Sequence, residues 1–359
     1  MIQLLAELDA ETETQLRAFL NRGAPCGGHD VRWLRVMREA FRHETFVLLA
    51  RDDQRGDIRG YLPLALVSTR LFGRFMVSLP YLNRAGIVAD APEIAHELLE
   101  AAVRLADRRD VQYLELRHDG RPIEHDLITH HRDEKVRMVL DLPGESSELW
   151  NAIGSKVRNQ VRKGEKAGLT IRWGDHGLLD DFYSVFAVNM RDLGTPVYPR
   201  KLFGSILRHF PGEAELAVVY FGKEHIPVAG ALLLHETSGG GGVRMSQVPS
   251  ASSLRQFSAT NANMWMYHQL LCRSIQRGST SFDFGRCTPT DAPGSGTYRF
   301  KKQWGATPQP TTWQYHLRHG EMDGMRPDHP KYQRRIAAWQ KLPVWVTRVV
   351  GPTIVRGIP

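Results

Sequence analysis

Phe46–Leu66 reads FVLLARDDQRGDIRGYLPLAL, an apolar run, a polar turn and a second apolar run with Gly60 inside it. Such a pattern makes a strand, a connection and a strand. Further along, Ala214–Leu234 reads AELAVVYFGKEHIPVAGALLL, and Gly230 follows Gly60 by 170 residues. The same shift carries the helical stretch Ala91–Arg109 onto Asn261–Ser279, and the strand-like Val111–Arg117 onto Ser281–Cys287. Three elements in one ungapped register indicate an internal duplication. The expected fold class is α/β (α+β): two tandem domains, each a mixed central sheet with helices on both faces. The expected bounds are 1–143 and 144–322, followed by a tail over 323–359.

The composition fits that plan. The 359 residues are 42% apolar and 24% charged, the balance of a folded chain, and they exceed what one core usually serves. Disorder, collagen-like repeats and a coiled coil are excluded. No run approaches the ~18 apolar residues of a membrane span. The opening MIQLLAELDAETETQ is acidic, unlike a secretion leader, and Cys26, Cys272 and Cys287 are too few for a disulfide framework. A cytoplasmic setting is expected. The net charge of +8 fits an anionic partner, whether a phosphate, nucleic acid, an anionic glycan or a membrane face; it fits a plain basic enzyme equally well.

In the second half the pattern predicts a helix over Ser147–Ala167 stopped by Gly168, a strand Thr170–Trp173, and helices Leu178–Leu193 and Arg200–Phe210. Strands Leu216–Phe221, Pro227–His235 and Val243–Val248 follow, then helix Asn261–Gln276 with Asn263 as its cap. Strand Ser281–Gly285 and a last strand Thr311–Leu317 complete the second sheet. In the first of these helices Trp150, Ile153, Val157 and Val161 form the buried stripe. Lys156, Arg158, Arg162, Lys163 and Lys166 occupy the other faces. Arg158, Arg162 and Lys166 stack at i, i+4, i+8, which costs roughly 0.2–0.5 kcal/mol per like-charged pair. Such a helix either faces an anion or is simply a solvated basic face.

Other motifs are thin. Arg70-x-x-Gly73, Arg117-x-x-Gly120, Arg191-x-x-Gly194 and Arg348-x-x-Gly351 begin a pyrophosphate-cradling loop, and none completes it. Ser238–Gly242 (SGGGG) reads as a mobile linker. His125, His130, His131 and Cys26-x-x-His29 lack the second half of a metal site, so no metal is expected. Cys287 has no His partner assignable from sequence.

One cluster is specific. FDFGRCTPTDAPGSGTYRFKKQWG (282–305), SKVRNQVRKGEKAGL, NMRDLGTPVYP (Asn189–Pro199) and SASSLRQFSATNANMWMYHQLL (Ser250–Leu271) together resemble the Fem-type (FemAB-like) peptidyltransferase family, tandem GNAT-fold acyltransferases. More narrowly they are similar to its branch associated with PEP-CTERM/exosortase and exopolysaccharide clusters. The branch usually carries Ser where Cys287 stands and Pro where Ala262 stands. The resemblance implies transfer of an acyl or aminoacyl group to an amine on an envelope or exopolysaccharide precursor, nucleotide- or lipid-linked, by direct attack without a covalent enzyme intermediate. Acyl-CoA or aminoacyl-tRNA would be the donor, with no permanently bound cofactor; tRNA is then a partner and DNA is not. By resemblance Lys302 or Lys301 is the functional lysine. Asp283 either takes the proton of the attacking ammonium or ties down Arg286. Tyr198, Tyr298, Arg299 and Arg286 are candidate substrate contacts beside Lys156, Arg158, Arg162 and Lys163. The alternative is a catalytically silent module that holds an anionic glycan or nucleotide sugar; an RNA-binding protein ranks last.

In the tail, Tyr332, Ile336, Trp339, Leu342, Trp345 and Val349 recur at three-to-four spacing, and Pro343 should break the helix near Lys341–Leu342. Cations and two tryptophans on such a segment suit the surface of the inner membrane. The same face could instead pack back onto the second domain.

Overall fold

The computed structural model describes residues 1–23, 26–118, 122–237, 243–290, 296–319 and 333–358; SGGGG, Gly120, Lys331 and Tyr332 lie outside them. In the first half β1 (Ile2–Leu5) leads to α1 (Ala10–Arg22), whose N-terminus is capped by the Asp9 carboxylate accepting the Thr12 N–H at 2.7 Å. After α2 (Arg32–Phe41) the quoted hairpin forms as β2 (Glu44–Arg51) and β3 (Ile58–Thr69). Next come β4 (Gly73–Val77), β5 (Val88–Ala89), α3 (Pro92–Arg108), β6 (Tyr113–His118) and β7 (His130–Arg132). The second half holds β8 (Val136–Asp141), α4 (Ser146–Ala152), α5 (Ser155–Lys166), β9 (Thr170–Gly174), α6 (Leu179–Leu193) and α7 (Arg200–His209). It continues with β10 (Ala214–Phe221), β11 (Ile226–Thr237), β12 (Val243–Ser253), α8 (Ala262–Gln276), β13 (Ser281–Cys287), α9 (Gly296–Lys302) and β14 (Thr307–Pro310). The chain closes with β15 (Thr312–Leu317), α10 (Gln333–Gln340) and α11 (Val344–Val355).

Two sheets result, one ordered β1-β2-β3-β4-β6-β15-β7 with β5 beside β3, the other β14-β8-β13-β12-β11-β10-β9. Each sheet has a parallel step among mostly antiparallel neighbours, β4 to β6 in the first and β12 to β13 in the second. In the first sheet α3 covers one face, where Phe46, Leu48, Leu62, Leu98, Ala102 and Leu114 form a core, while α1 and α2 pack on the other. In the second, α5 and α8 share a core with Val157, Val161, Met266, Leu270 and Phe282, and α6 and α7 lie opposite.

Three readings need correction. The chain divides into Met1–Glu134 with Pro310–His329 and Thr353–Pro359, and Lys135–Gln309 with Pro330–Pro352. A boundary at 143 leaves β8 with the first half and 311–317 with the second. The pairing does the reverse: β8 joins the second sheet through Asp141↔Ser281, and β15 enters the first between β6 and β7. Second, Gly60 and Gly230 are not equivalent. Gly60 faces α3, where a Cβ would meet Ile94 and Leu98 at 2.8 Å; Gly230 faces α6 and Phe182. The hairpins therefore differ by an odd slip, which exchanges faces, although α3 and α8 keep the 170-residue shift. Third, the helix expected over 147–167 breaks in two at Ile153–Gly154, both extended. Gly168, with φ +72, does end it.

Candidate active site

The parallel step between β12 and β13 is short. Met245, Ser246 and Gln247 pair with Ser281, Phe282 and Asp283; beyond them β12 runs on to Ser253 against β11 and β13 runs on to Cys287 against β8. The two strands part there. A shift in the β13–β8 register between Asp283 and Arg286, with Gly285 at φ +80, bends β13 at the parting point.

Into this bend α9 delivers Lys301. Phe300 stands edge-on to Tyr267 with centroids 4.8 Å apart, Tyr267 stacks on Phe284 at 5.7 Å, and Trp304 is buried in the same core. That aromatic chain holds α9 against β13 and α8. The buried Lys301 Nζ donates to the carbonyls of Gly285 (2.9 Å) and Arg286 (3.1 Å). An ammonium has three hydrogens, so one remains uncommitted among the described residues. Burial lowers the Lys301 pKa, with Cys287 and Asp283 opposing the shift. Burial likewise raises the Cys287 thiol against the pull of Lys301 and Lys135, so Cys287 is a protonated packing residue and a poor nucleophile.

Asp283 is buried opposite Phe282 and Phe284, as the alternation requires. Its carboxylate accepts the Gly285 N–H at 2.7 Å and lies 3.5 Å from Arg137 Nη1. Arg137 in turn donates to Gln309 Oε1. These bonds make Asp283 the clamp of the bend. Arg137 was missed in the sequence because its pairing with Asp283 spans 146 residues.

The remaining candidates separate. Lys302 is exposed, its Nζ 5.5 Å from the Tyr298 ring centroid one turn back; Arg299 is exposed on the same helix and Arg286 is half-buried on β13. Tyr298–Lys302 thus lie on a helix that ends just before Gln303 and Trp304. On α5, Arg158 donates to the carbonyls of Trp150 (3.3 Å), Asn151 (3.3 Å) and Ile153 (2.6 Å) and so closes the C-terminus of α4. Arg162 lies 5.3 Å from the Trp150 ring centroid. Two of the three stacked cations thus have internal roles, while Lys156, Lys163 and Lys166 are exposed. Gly164 lets α5 approach α8, since a Cβ there would come within 2.5 Å of Trp265 Cβ. Tyr198 lies elsewhere, its ring stacked on Phe186 and its carbonyl accepting the Tyr183 hydroxyl at 2.9 Å. Asn263 sits inside α8, and the N-cap is Asn261.

A buried chain in the second unit also invites a chemical reading. The His235 ring is 2.6 Å from Ser246 Oγ and 2.9 Å from Glu215 Oε1; Ser246 meets Ser279 at 2.5 Å, and Arg273 grips Glu215 at 2.9 and 2.8 Å. The order matches a nucleophile relay. Ser246 and Ser279 are buried, however, so no substrate reaches the hydroxyls and the network is structural.

The profile described as Acetyltransferase (GNAT) domain matches residues 154–302, the stretch that contains α5, the parted strands and Lys301. No curated protein matches the sequence significantly. Among solved structures, FemX superposes with a TM-score of 0.65 at 16% identity, over 92% of this chain and 99% of that one. L-PGS from Bacillus licheniformis gives 0.55 at 12%, over 96% and 97%. A tandem GNAT protein of the clavulanic acid biosynthesis pathway gives 0.56 at 12%, over 89% and 100%. The chain is thus a tandem GNAT-fold protein whose second unit carries an acyltransferase domain.

Proposed function

We propose that the protein is an N-acyltransferase that passes an acyl or aminoacyl group, from acyl-CoA or aminoacyl-tRNA, to an amine on an anionic cell-envelope or exopolysaccharide precursor. The observation that carries this reading is the buried Lys301 ammonium at the parting of β12 and β13, with one hydrogen uncommitted among the described residues. A donor carbonyl seated in the parting would place its oxygen on that hydrogen. The acceptor amine attacks the carbonyl carbon, negative charge gathers on the oxygen, and the fixed ammonium stabilises it. Collapse expels the thiolate or ribose oxygen, and the proton lost by the amine ends on that leaving group. Neither step needs the Cys287 thiol. The envelope and exopolysaccharide context rests on the residue resemblance.

The exposed Lys156, Lys163 and Lys166 favour a second reading, a silent module that holds an anionic glycan or nucleotide sugar. Incubation with labelled acyl-CoA and aminoacyl-tRNA pools and amine-bearing envelope precursors separates the two. Transfer of label supports the first. Retention of a nucleotide sugar without transfer from any donor overturns it.

A further inference from the structure

The tail carries a surface that acyl transfer does not explain. One side of it packs inward. A Cβ on Gly194 would meet Ile336, Gln340 Nε2 donates to the Asp192 carbonyl at 3.1 Å, and Arg191 Nη1 donates to that of Leu342 at 3.2 Å. Thr347 and Gly351 are buried, Gly351 against Val197. The chain breaks between α10 and α11 at Lys341–Pro343. The other side of α11 stays bare: Trp345 is 70% exposed, Val349 69% and Val350 41%. Trp345 and Val349 are one turn apart and share a face.

A helix apolar on both sides normally has something on both. What covers the bare side is indicated by the charge around it. Residues 333–358 contain no Asp or Glu, whereas Arg334, Arg335, Lys341 and Arg348 are all exposed. A strip of tryptophan and valine in a segment whose charged residues are all cations suits an anionic bilayer surface: the indole sits at headgroup level, the valines reach the acyl boundary, and the cations meet lipid phosphates. Among the described residues no helix is long and apolar enough to cross a membrane, so the contact is with the surface.

We propose that the outward side of α11 docks the protein on anionic lipid surfaces. The proposal does not rest on acyl transfer, and its test needs no substrate. The full-length chain is sedimented with vesicles of phosphatidylglycerol mixed with phosphatidylcholine, and with phosphatidylcholine alone. It should pellet with the first and remain in solution with the second. Trp345→Ser/Val349→Ser should weaken partition about a hundredfold, from the apolar area no longer buried. Arg334→Glu/Arg335→Glu/Lys341→Glu should weaken it about fivefold or more per position. All five side chains are exposed, and matched melting curves verify that both variants fold. Equal pelleting of the parent and both variants overturns the proposal, as does no pelleting of the parent. So does light scattering that shows a dimer dissolved by the Trp345/Val349 variant, because a second copy would then be the cover.

Discussion

Lys301 and Lys302 are neighbours in the chain and opposites in environment. The helix places them 100° apart, so one enters the bend of β13 and the other lies in solvent over Tyr298. Lys301→Met keeps the stem and removes the charge; kcat with the accepted donor should fall about 10²–10³-fold, as when one oxyanion donor is lost. Lys302→Ala should change kcat little and raise KM modestly. The reverse order would transfer the role to Lys302. Arg158 gives a contrast on α5. Its three carbonyl bonds are structural, so Arg158→Ala should lower stability by about 2 kcal/mol in denaturant titration while leaving anion affinity unchanged. Lys156→Ala and Lys163→Ala should do the opposite, with an effect that fades as salt rises.

The elements show how contacts override pattern. The heptad-like stripe from Trp150 to Val161 is real, yet the helix breaks at Ile153–Gly154 and Arg158 folds back over the break. The packing of α5 on α8 depends on Gly164, a position with no signal of its own. Gly164→Leu forces the two helices apart and should destabilise the fold by about 1–3 kcal/mol, the usual cost of overpacking, seen as a lower melting temperature. Gly164→Ala should cost less and in the same direction. In the tail, Pro343 ends α10 where its missing N–H and ring clash require. The apolar periodicity there served two surfaces, because Ile336 packs inward while Trp345 and Val349 do not.

At the scale of the whole molecule, acid should act on the buried histidines before it acts on Glu215. In the first unit, burial holds His43 and His118 at about 4, with Arg356 adding at His43 and His29 at His118. A folded pKa below the ordinary 6.5 means the stability is present above pH 6.5 and is lost as pH falls toward 4, up to about 3 kcal/mol for each group. In the second unit, burial works to raise the Glu215 carboxyl, and hydrogen bonds from His235 and Arg273 outweigh it and hold it at about 2. That contribution is present above the ordinary 4.5 and is lost only as pH falls from there toward 2. Hydrogen exchange at pH 7, 5 and 3 should therefore show protection falling in residues 44–118 by pH 5, and around Glu215 on β10 only by pH 3. His43→Gln should flatten the first transition; simultaneous loss in residues 44–118 and around Glu215 would refute the sequence of events.

Local chemistry determined much of this protein. The alternation of FVLLARDDQRGDIRGYLPLAL and its distant copy specified two hairpins, two helices and two β/α units. FDFGRC…YRFKKQWG placed a lysine pair after a strand, and Pro343 stopped a helix. Each of these depends on residues within a turn or two of one another. Tertiary structure alone decided the rest. Which sheet takes β8 and which takes β15 depends on partners far along the chain, and an alternating strand reads the same in either. The facing of Gly60 and Gly230 turns on an odd slip in the hairpin register, to which composition is blind. Lys301 rather than Lys302 enters the bend because Phe300, Tyr267 and Phe284 lock the rotation of α9, and Asp283 became a clamp because Arg137 and the Gly285 N–H reach it first. Periodicity reports which face of an element is apolar; only packing reports what that face meets.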